Sequence, residues 1–292
     1  KMFFFLEKLK NKKKEKISQL DSRIIKYIET ISDKINNLSK INFSHSGHLG
    51  DLINSLPVIK ELSKKKNCNL FININKRLTE KDIDISHPTK EFYLTKDSFL
   101  KLKPLLESQD YIKEVNIFEN QEIDIKLDFF RELPMNLNID SVRWYSHICG
   151  INPNLNNPYL VNIKKNNTFQ NKIIIMRSLR RQNKDISFRF LQKFEDIVFT
   201  GLLSEYEDLR KQIPNMKFYD CDNFLELAEI IKSCKLFIGN LSFGYTIAEA
   251  LKVPRLLESK LNFPLVYPNG LNAYEFYFQC HFEKYVKEIL NS

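Results

Sequence analysis

The residues best suited to chemistry crowd into four short stretches. The first is "FSHSGHLGD", residues 43–51, which brings His45, Ser46, Gly47, His48, Gly50 and Asp51 together just ahead of an apolar, helix-like run. Gly47 and Gly50 let the backbone approach a ligand closely, and a helix N-terminus favours negative charge. Asp51 stands at or beside the start of that helix. It either caps the helix or serves as a general base at the mouth of a cleft. His45, His48 and Asp51 follow one another at three-residue steps that span strand, loop and helix, so they need not converge on a metal. The stretch lacks both the GK[ST] of a P-loop and the GxGxxG of a dinucleotide site.

The second stretch, "IIIMRSLRRQNKD" (173–185), delivers Arg177, Ser178, Arg180 and Arg181 to the end of an apolar strand. Guanidiniums and a hydroxyl set so close together suit a diphosphate, or else form a solvated basic loop. In the third, "FIGNLSFGYTIAEALKVP" (237–254), a strand ends near Gly239 and a helix begins near Gly244. Backbone N–H groups there, with the Ser242 and Thr246 hydroxyls, would cradle a phosphate. Glu249, one turn further in, would accept hydrogen bonds from a ribose; the plainer alternative is that Ser242 is an N-cap. The fourth, "FTGLLSEYEDL" (199–209), is another strand-to-helix corner, with Gly201 for close approach and Glu205 facing the same cleft or merely opening a surface helix.

The elements that would position these corners alternate. Residues 1–40 read as helical, with Ile17, Leu20, Ile24, Ile25, Ile28, Ile31 and Ile35 at three- and four-residue steps. The helix would dock on the rest of the chain or on a partner. From residue 41, strands at 41–46, 68–75, 112–118 and 124–129 are interleaved with helices at 51–65, 98–107 and 141–151. Residues 152–171, rich in Asn and Pro, lack periodicity and read as an interdomain linker. From residue 172 the alternation resumes, with strands at 172–178, 196–201, 216–221 and 235–240 and helices near 204–213, 223–234 and 243–252. This order implies an α/β protein of two Rossmann-like units with parallel sheets, 41–151 and 172–270, and ligands at the carboxyl ends of the strands. The stretch 76–110 would shape the acceptor pocket, and a final helix over 271–292 would pack back on the first unit.

Composition narrows the class. The chain has 292 residues, 43% hydrophobic, and no apolar run reaches the ~18–20 residues of a membrane span. Five scattered cysteines form no CxxC, which fits a reducing cytoplasm rather than a disulfide framework. "MFFFL" is too short for a secretory apolar region. Seven lysines against two glutamates in residues 1–16 carry much of the +9 formal charge. They form a solvated tail, or draw the chain to an anionic membrane surface with Phe3, Phe4, Phe5 and Leu6 in the interface. Self-association through residues 1–40 is a further option. No nucleic-acid-binding motif accompanies the charge.

Taken in order, these corners resemble the heptosyltransferase-like glycosyltransferases (glycosyltransferase family 9, GT-B fold). "GHLGDLINSLP" matches that family's GxxGDxxxxxP through Gly47, Gly50, Asp51 and Pro57. "GNLSFGYTIAEALKVP" aligns without a gap on a pattern like GNDSGPAHLAAALGVP, with Leu241, Phe243 and Thr246 as departures that leave the donor open. The resemblance implies a transferase that moves a sugar from a nucleotide-diphosphate sugar to a hydroxyl of a surface-glycan or lipid-linked acceptor, inverting at the anomeric carbon. It implies no metal or other cofactor, and a cytoplasmic enzyme at the inner face of the membrane. Asp51 would be the base. Arg177, Ser178, Arg180, Arg181, Asn240, Ser242, Phe243, Gly244 and Thr246 would hold the donor diphosphate. Gly201, Glu205 and Glu249 would hold the ribose, and His45, Ser46, Gly47, His48 and Gly50 would line the acceptor side. The alternative is a catalytically inactive GT-B-like protein that binds nucleotide sugars or acts as a membrane scaffold.

Overall fold

The computed structural model describes residues 22–78, 88–133, 139–260 and 266–291. The basic stretch with Phe3 to Leu6, and Ile17 and Leu20, lie outside the described residues, as does part of the acceptor-pocket stretch.

Helix α1 (Ser22–Asn37) leads into β1 (Lys40–His45), α2 (Leu49–Ser63), β2 (Asn67–Ile72), α3 (Lys96–Glu107), β3 (Glu114–Ile117), β4 (Ile125–Lys126) and α4 (Val142–Cys149). The four strands pair in parallel in the order β3-β2-β1-β4. A second run follows: β5 (Ile173–Met176), β6 (Ile197–Thr200), α5 (Leu203–Arg210), β7 (Lys217–Tyr219), α6 (Phe224–Ser233), β8 (Leu236–Asn240), α7 (Phe243–Leu251), β9 (Arg255–Glu258), β10 (Ala273–Phe276) and α8 (Gln279–Asn291). Its six strands are also parallel, ordered β10-β9-β8-β5-β6-β7. Strands such as "IIIM" and "IVFT" are rich in buried Ile, Val and Phe on both faces because helices cover both faces of a parallel sheet. Among the described residues no helix is long and apolar enough to cross a membrane.

The structure selects one of the two options for the first helix and departs from the sequence reading at two other places. Helix α1 is part of the first unit: it packs on α4, with Ile31 and Ile35 buried and Tyr27 4.2 Å from Phe129, ring to ring. The final helix does not cross to the first unit. β9 and β10, both unread in the sequence, widen the second sheet and leave a face to cover. Helix α8 covers it, placing Phe282, Val286 and Ile289 in the second core. The stretch 152–171 is no slack tether, since Tyr159, Leu160 and Phe169 are buried.

The two units meet helix against helix, α2 on α7 and α3 on α6. This explains α2, which is buried on nearly every side from Leu52 to Ile59. A helix buried all round belongs between two layers; here these are its own sheet and α7, with the buried Asn54 and Ser55 hydrogen-bonded to Ser141 Oγ and the Leu52 carbonyl.

Candidate functional site

In an open parallel sheet, ligands bind where the strand order reverses, beyond the carboxyl ends. The first sheet reverses between β1 and β4, and the second between β5 and β8. Residues 45–51 and 127–131 therefore share one switch point; residues 177–183 and 240–246 share the other. The two corners face each other. A Cβ added to Gly50 would stand 3.4 Å from the Thr246 hydroxyl.

At the first corner, His48 is the extended N-cap residue of α2, and its N–H donates to Asp51 Oδ2 at 3.2 Å. Arg131 Nη2 donates to the same oxygen at 2.9 Å. Its guanidinium lies 4.6 Å from the centroids of both Tyr93 and Phe130, and its buried Nε has no hydrogen-bond partner among the described residues. Asp51 thus caps its helix and is held by a cation, both through Oδ2, with its side chain 19% exposed.

His45 is completely buried. The Gly47 N–H donates to its Nδ1 at 2.8 Å, so Nε2 carries the proton and donates to Tyr145 Oη at 2.9 Å. The Tyr145 hydroxyl in turn donates to the Asp51 carbonyl at 2.8 Å. Burial pushes the His45 pKa down to about 4, so the ring is neutral and acts as scaffold. Gly47 permits this wrap, since a Cβ there would lie 2.8 Å from Asp51 Oδ2. His48 Nδ1 donates to the Tyr93 carbonyl at 2.9 Å, and burial lowers its pKa also. Ser46 donates to Asp128, and Lys76 Nζ donates to Ser46 Oγ at 2.9 Å and to Asp128 Oδ2 at 3.0 Å. Despite its burial, Asp128 has a lowered pKa, held there by the Ser46 and Lys76 hydrogen bonds and the Lys76 charge.

The sequence reading did not single out Lys76, Tyr93, Asp128, Arg131 or Tyr145. "KLDFFRE" carried a usable signal: a carboxylate and a guanidinium directly after a short apolar strand. Only the strand order places that stretch beside β1.

At the second corner, the Asn240 side chain grips one residue from both sides. Its Oδ1 accepts from Ser178 N–H at 2.9 Å and its Nδ2 donates to Ser178 carbonyl at 2.7 Å. Ser242 is the extended N-cap of α7, and its buried Oγ has no hydrogen-bond partner among the described residues. The Thr246 hydroxyl donates to the Ser242 carbonyl at 3.3 Å. Gly244 lies against Met176, where a Cβ would collide with the thioether sulfur. The Phe243 ring packs on Phe224, 4.7 Å away, rather than toward a ligand. Arg180 and Arg181 sit half-buried on a 3-10 turn, Leu179–Arg181. Glu205, its pKa raised by burial, is held by the backbone at Leu202 and Leu179 and by the Ser178 hydroxyl. Gly201, at φ +136, gives it room.

Two residues have other tasks than the sequence reading gave them. Arg177 is 2% exposed and forms a two-pronged pair with Glu258, at 2.6 and 2.7 Å, over the Phe188 ring. Its charge is already matched inside the core. Glu249 is buried among Lys252, Arg255 and the Asn269 N–H, which occupy both its oxygens. It holds α7 to β9 instead of facing the switch point.

No family model and no curated protein matches this sequence. Solved structures do match. A glycosyltransferase family 9 structure from Veillonella parvula superposes with a TM-score of 0.53 at 11% identity, over 87% of this chain and 89% of its own. The E. coli heptosyltransferase WaaC with ADP gives 0.58 at 8% identity, over 86% and 99%. The dodecameric iron-containing heptosyltransferase TibC, in complex with ADP-D-beta-D-heptose, gives 0.53 at 12% identity, over 81% and 62%. The chain has the GT-B fold. At such identities the GT-B likeness is one of backbone arrangement, and the roles of individual residues rest on the geometry above.

Proposed function

We propose that the protein is a metal-independent, inverting glycosyltransferase that moves a sugar from a nucleotide-diphosphate sugar to a hydroxyl of a glycan or lipid-linked acceptor. The observation that carries this reading is the meeting of two corners at the two switch points. One offers a carboxylate, and the other offers a helix N-terminus with an unpartnered serine hydroxyl.

The donor diphosphate would lie against the start of α7, within reach of Ser242 Oγ and the guanidiniums of Arg180 and Arg181. A helix N-terminus and preorganised donors of this kind stabilise the negative charge that grows on the leaving diphosphate. Glu205 would take the ribose hydroxyls. Arg177 would shape the loop through Glu258 and Asn183 without touching phosphate. Asp51 would accept the acceptor proton through Oδ1, since Oδ2 already receives His48 and Arg131. The freed acceptor oxygen then attacks the anomeric carbon as the bond to the diphosphate breaks, inverting that centre. The two arginines and α7 would do the work of a bound cation. In this reading the enzyme works in the cytoplasm at the inner face of the membrane, where the basic residues 1–16 would meet anionic lipid.

A thermal-shift screen with nucleoside diphosphates tests this reading. One nucleotide is expected to raise the unfolding temperature, and Asp51→Asn to keep that shift while abolishing transfer from the matching sugar nucleotide. If no diphosphate shifts the transition, the reading falls; if Asp51→Asn turns over normally, Asp51 is not the base.

A further inference from the structure

The second unit carries a concavity that the proposed transfer does not use. It has a volume of about 320 Å³ and is lined by Tyr267, Pro268, Ala273, Tyr274, Glu275 and Tyr285. It lies where β10, the edge strand, meets α8. That is two strands out from β8, roughly 10 Å at ordinary strand spacing, and toward the amino end of β10 rather than the carboxyl ends that face the cleft.

The lining narrows the ligand. Tyr274 and Tyr285 stack nearly parallel, with centroids 4.8 Å apart and planes 12° off. Tyr267 adds a ring that is 40% exposed, and Pro268 an apolar edge. Glu275 is exposed and accepts from the Ser259 hydroxyl at 3.3 Å. Among the described lining residues none is a cation, though Lys284 Nζ stands 5.8 Å from the Tyr285 ring centroid, and the Glu275 carboxylate repels anions. A wholly apolar ligand would strip water from that carboxylate at a cost. A quaternary ammonium needs ring faces set around it as walls, whereas two stacked rings offer a single plane. A pyranose fits both features. Its C–H face would lie on an exposed ring such as Tyr267, and its hydroxyls would donate to phenols and, around the edge of β10, to the free oxygen of Glu275, whose side chain alternates with Tyr274 across the strand. The volume is at the low end for ligand clefts, enough for a short piece of glycan.

We propose that this concavity is a glycan-binding subsite that holds a pyranose unit of a carbohydrate chain away from its reacting end. Binding here does not depend on transfer at the cleft. If the acceptor is a chain, a second hold on it raises the effective concentration of its end at Asp51.

The test is ligand-observed NMR on the full chain with methyl glycosides of glucose, galactose, mannose and N-acetylglucosamine. Saturation is expected to reach the ring protons of at least one of them, in Asp51→Asn as in the parent chain, and to resist competition by tetramethylammonium chloride. Glu275→Gln, at an exposed side chain, should weaken that glycoside about ten-fold by removing charge-assisted hydrogen bonds. Tyr285→Ala should abolish its binding. No saturation of any glycoside overturns the proposal, as does saturation that survives both substitutions. Displacement by tetramethylammonium would make the concavity a cation site instead. Because Asp51→Asn removes transfer and leaves this binding, failure here is distinct from failure of the transferase reading.

Discussion

Burial decides what the first corner's histidines do. In "SHSGHLGD" their chemistry is ambiguous, because a sequence does not show which nitrogen meets which partner. The structure gives His45 an accepting Nδ1 and a donating Nε2, and burial keeps the ring neutral. With a pKa lowered from 6.5 to about 4, His45 takes up a proton more readily in the unfolded chain. Its contribution is complete above the unfolded value and is lost as pH falls toward about 4. Asp140, raised to about 6 by burial, acts in the opposite direction, so the effect is best read as a difference. The stability of the parent chain relative to His45→Gln should shrink by about 2 kcal/mol between about pH 7 and about pH 5. Urea unfolding at a series of pH values measures it, and a constant difference would contradict a neutral His45. Asp51 was legible from the glycine spacing around it. Arg131, Asp128 and Lys76 were not, because they reach Asp51 and Ser46 only after β4 and β2 have paired with β1.

Among the elements, the βα corners were the most legible part, since a β-branched run, a glycine and an amphipathic run each leave a local pattern. β9 and β10 were not. "RLLE" is short and charged at both ends, and the structure buries those charges in the pairs Arg255–Glu249 and Arg177–Glu258. No local pattern announces the second pairing, between residues 81 positions apart. Gly244 shows what a glycine can signal besides a turn: it sets how closely α7 approaches the end of β5. Gly244→Ala should destabilise by about 1 to 3 kcal/mol and weaken any nucleotide-induced shift, through overpacking against Met176. In a Met176→Ala background the same substitution should cost clearly less. Equal costs in the two backgrounds, measured by urea unfolding, would place the strain elsewhere.

For the whole molecule, the two parallel units were visible in the sequence and their docking was not. The segment 152–171 looked like a tether because Asn and Pro break its periodicity. Yet the Tyr159 and Leu160 N–H groups both donate to the Ala250 carbonyl at the end of α7. The Tyr159 carbonyl accepts from Tyr111, and the Val161 N–H donates to Gln109. One strip of chain is thus sewn to both units. Leu160→Ala should cost about 2 to 4 kcal/mol in urea unfolding, as a core position would; a loss near zero would restore the tether.

The seam also constrains how the two units can move. With α2 against α7 and α3 against α6, and the connecting strip fastened along both, no free hinge joins the halves. What packed helices allow is shear, a slide of about 1 to 2 Å. Spin labels at Lys65 and Glu207, in a Cys280→Ser background, should therefore keep their separation to within about 2 Å when nucleotide is added. The width of the cleft is then set during folding, and a substrate enters a slot already cut to size.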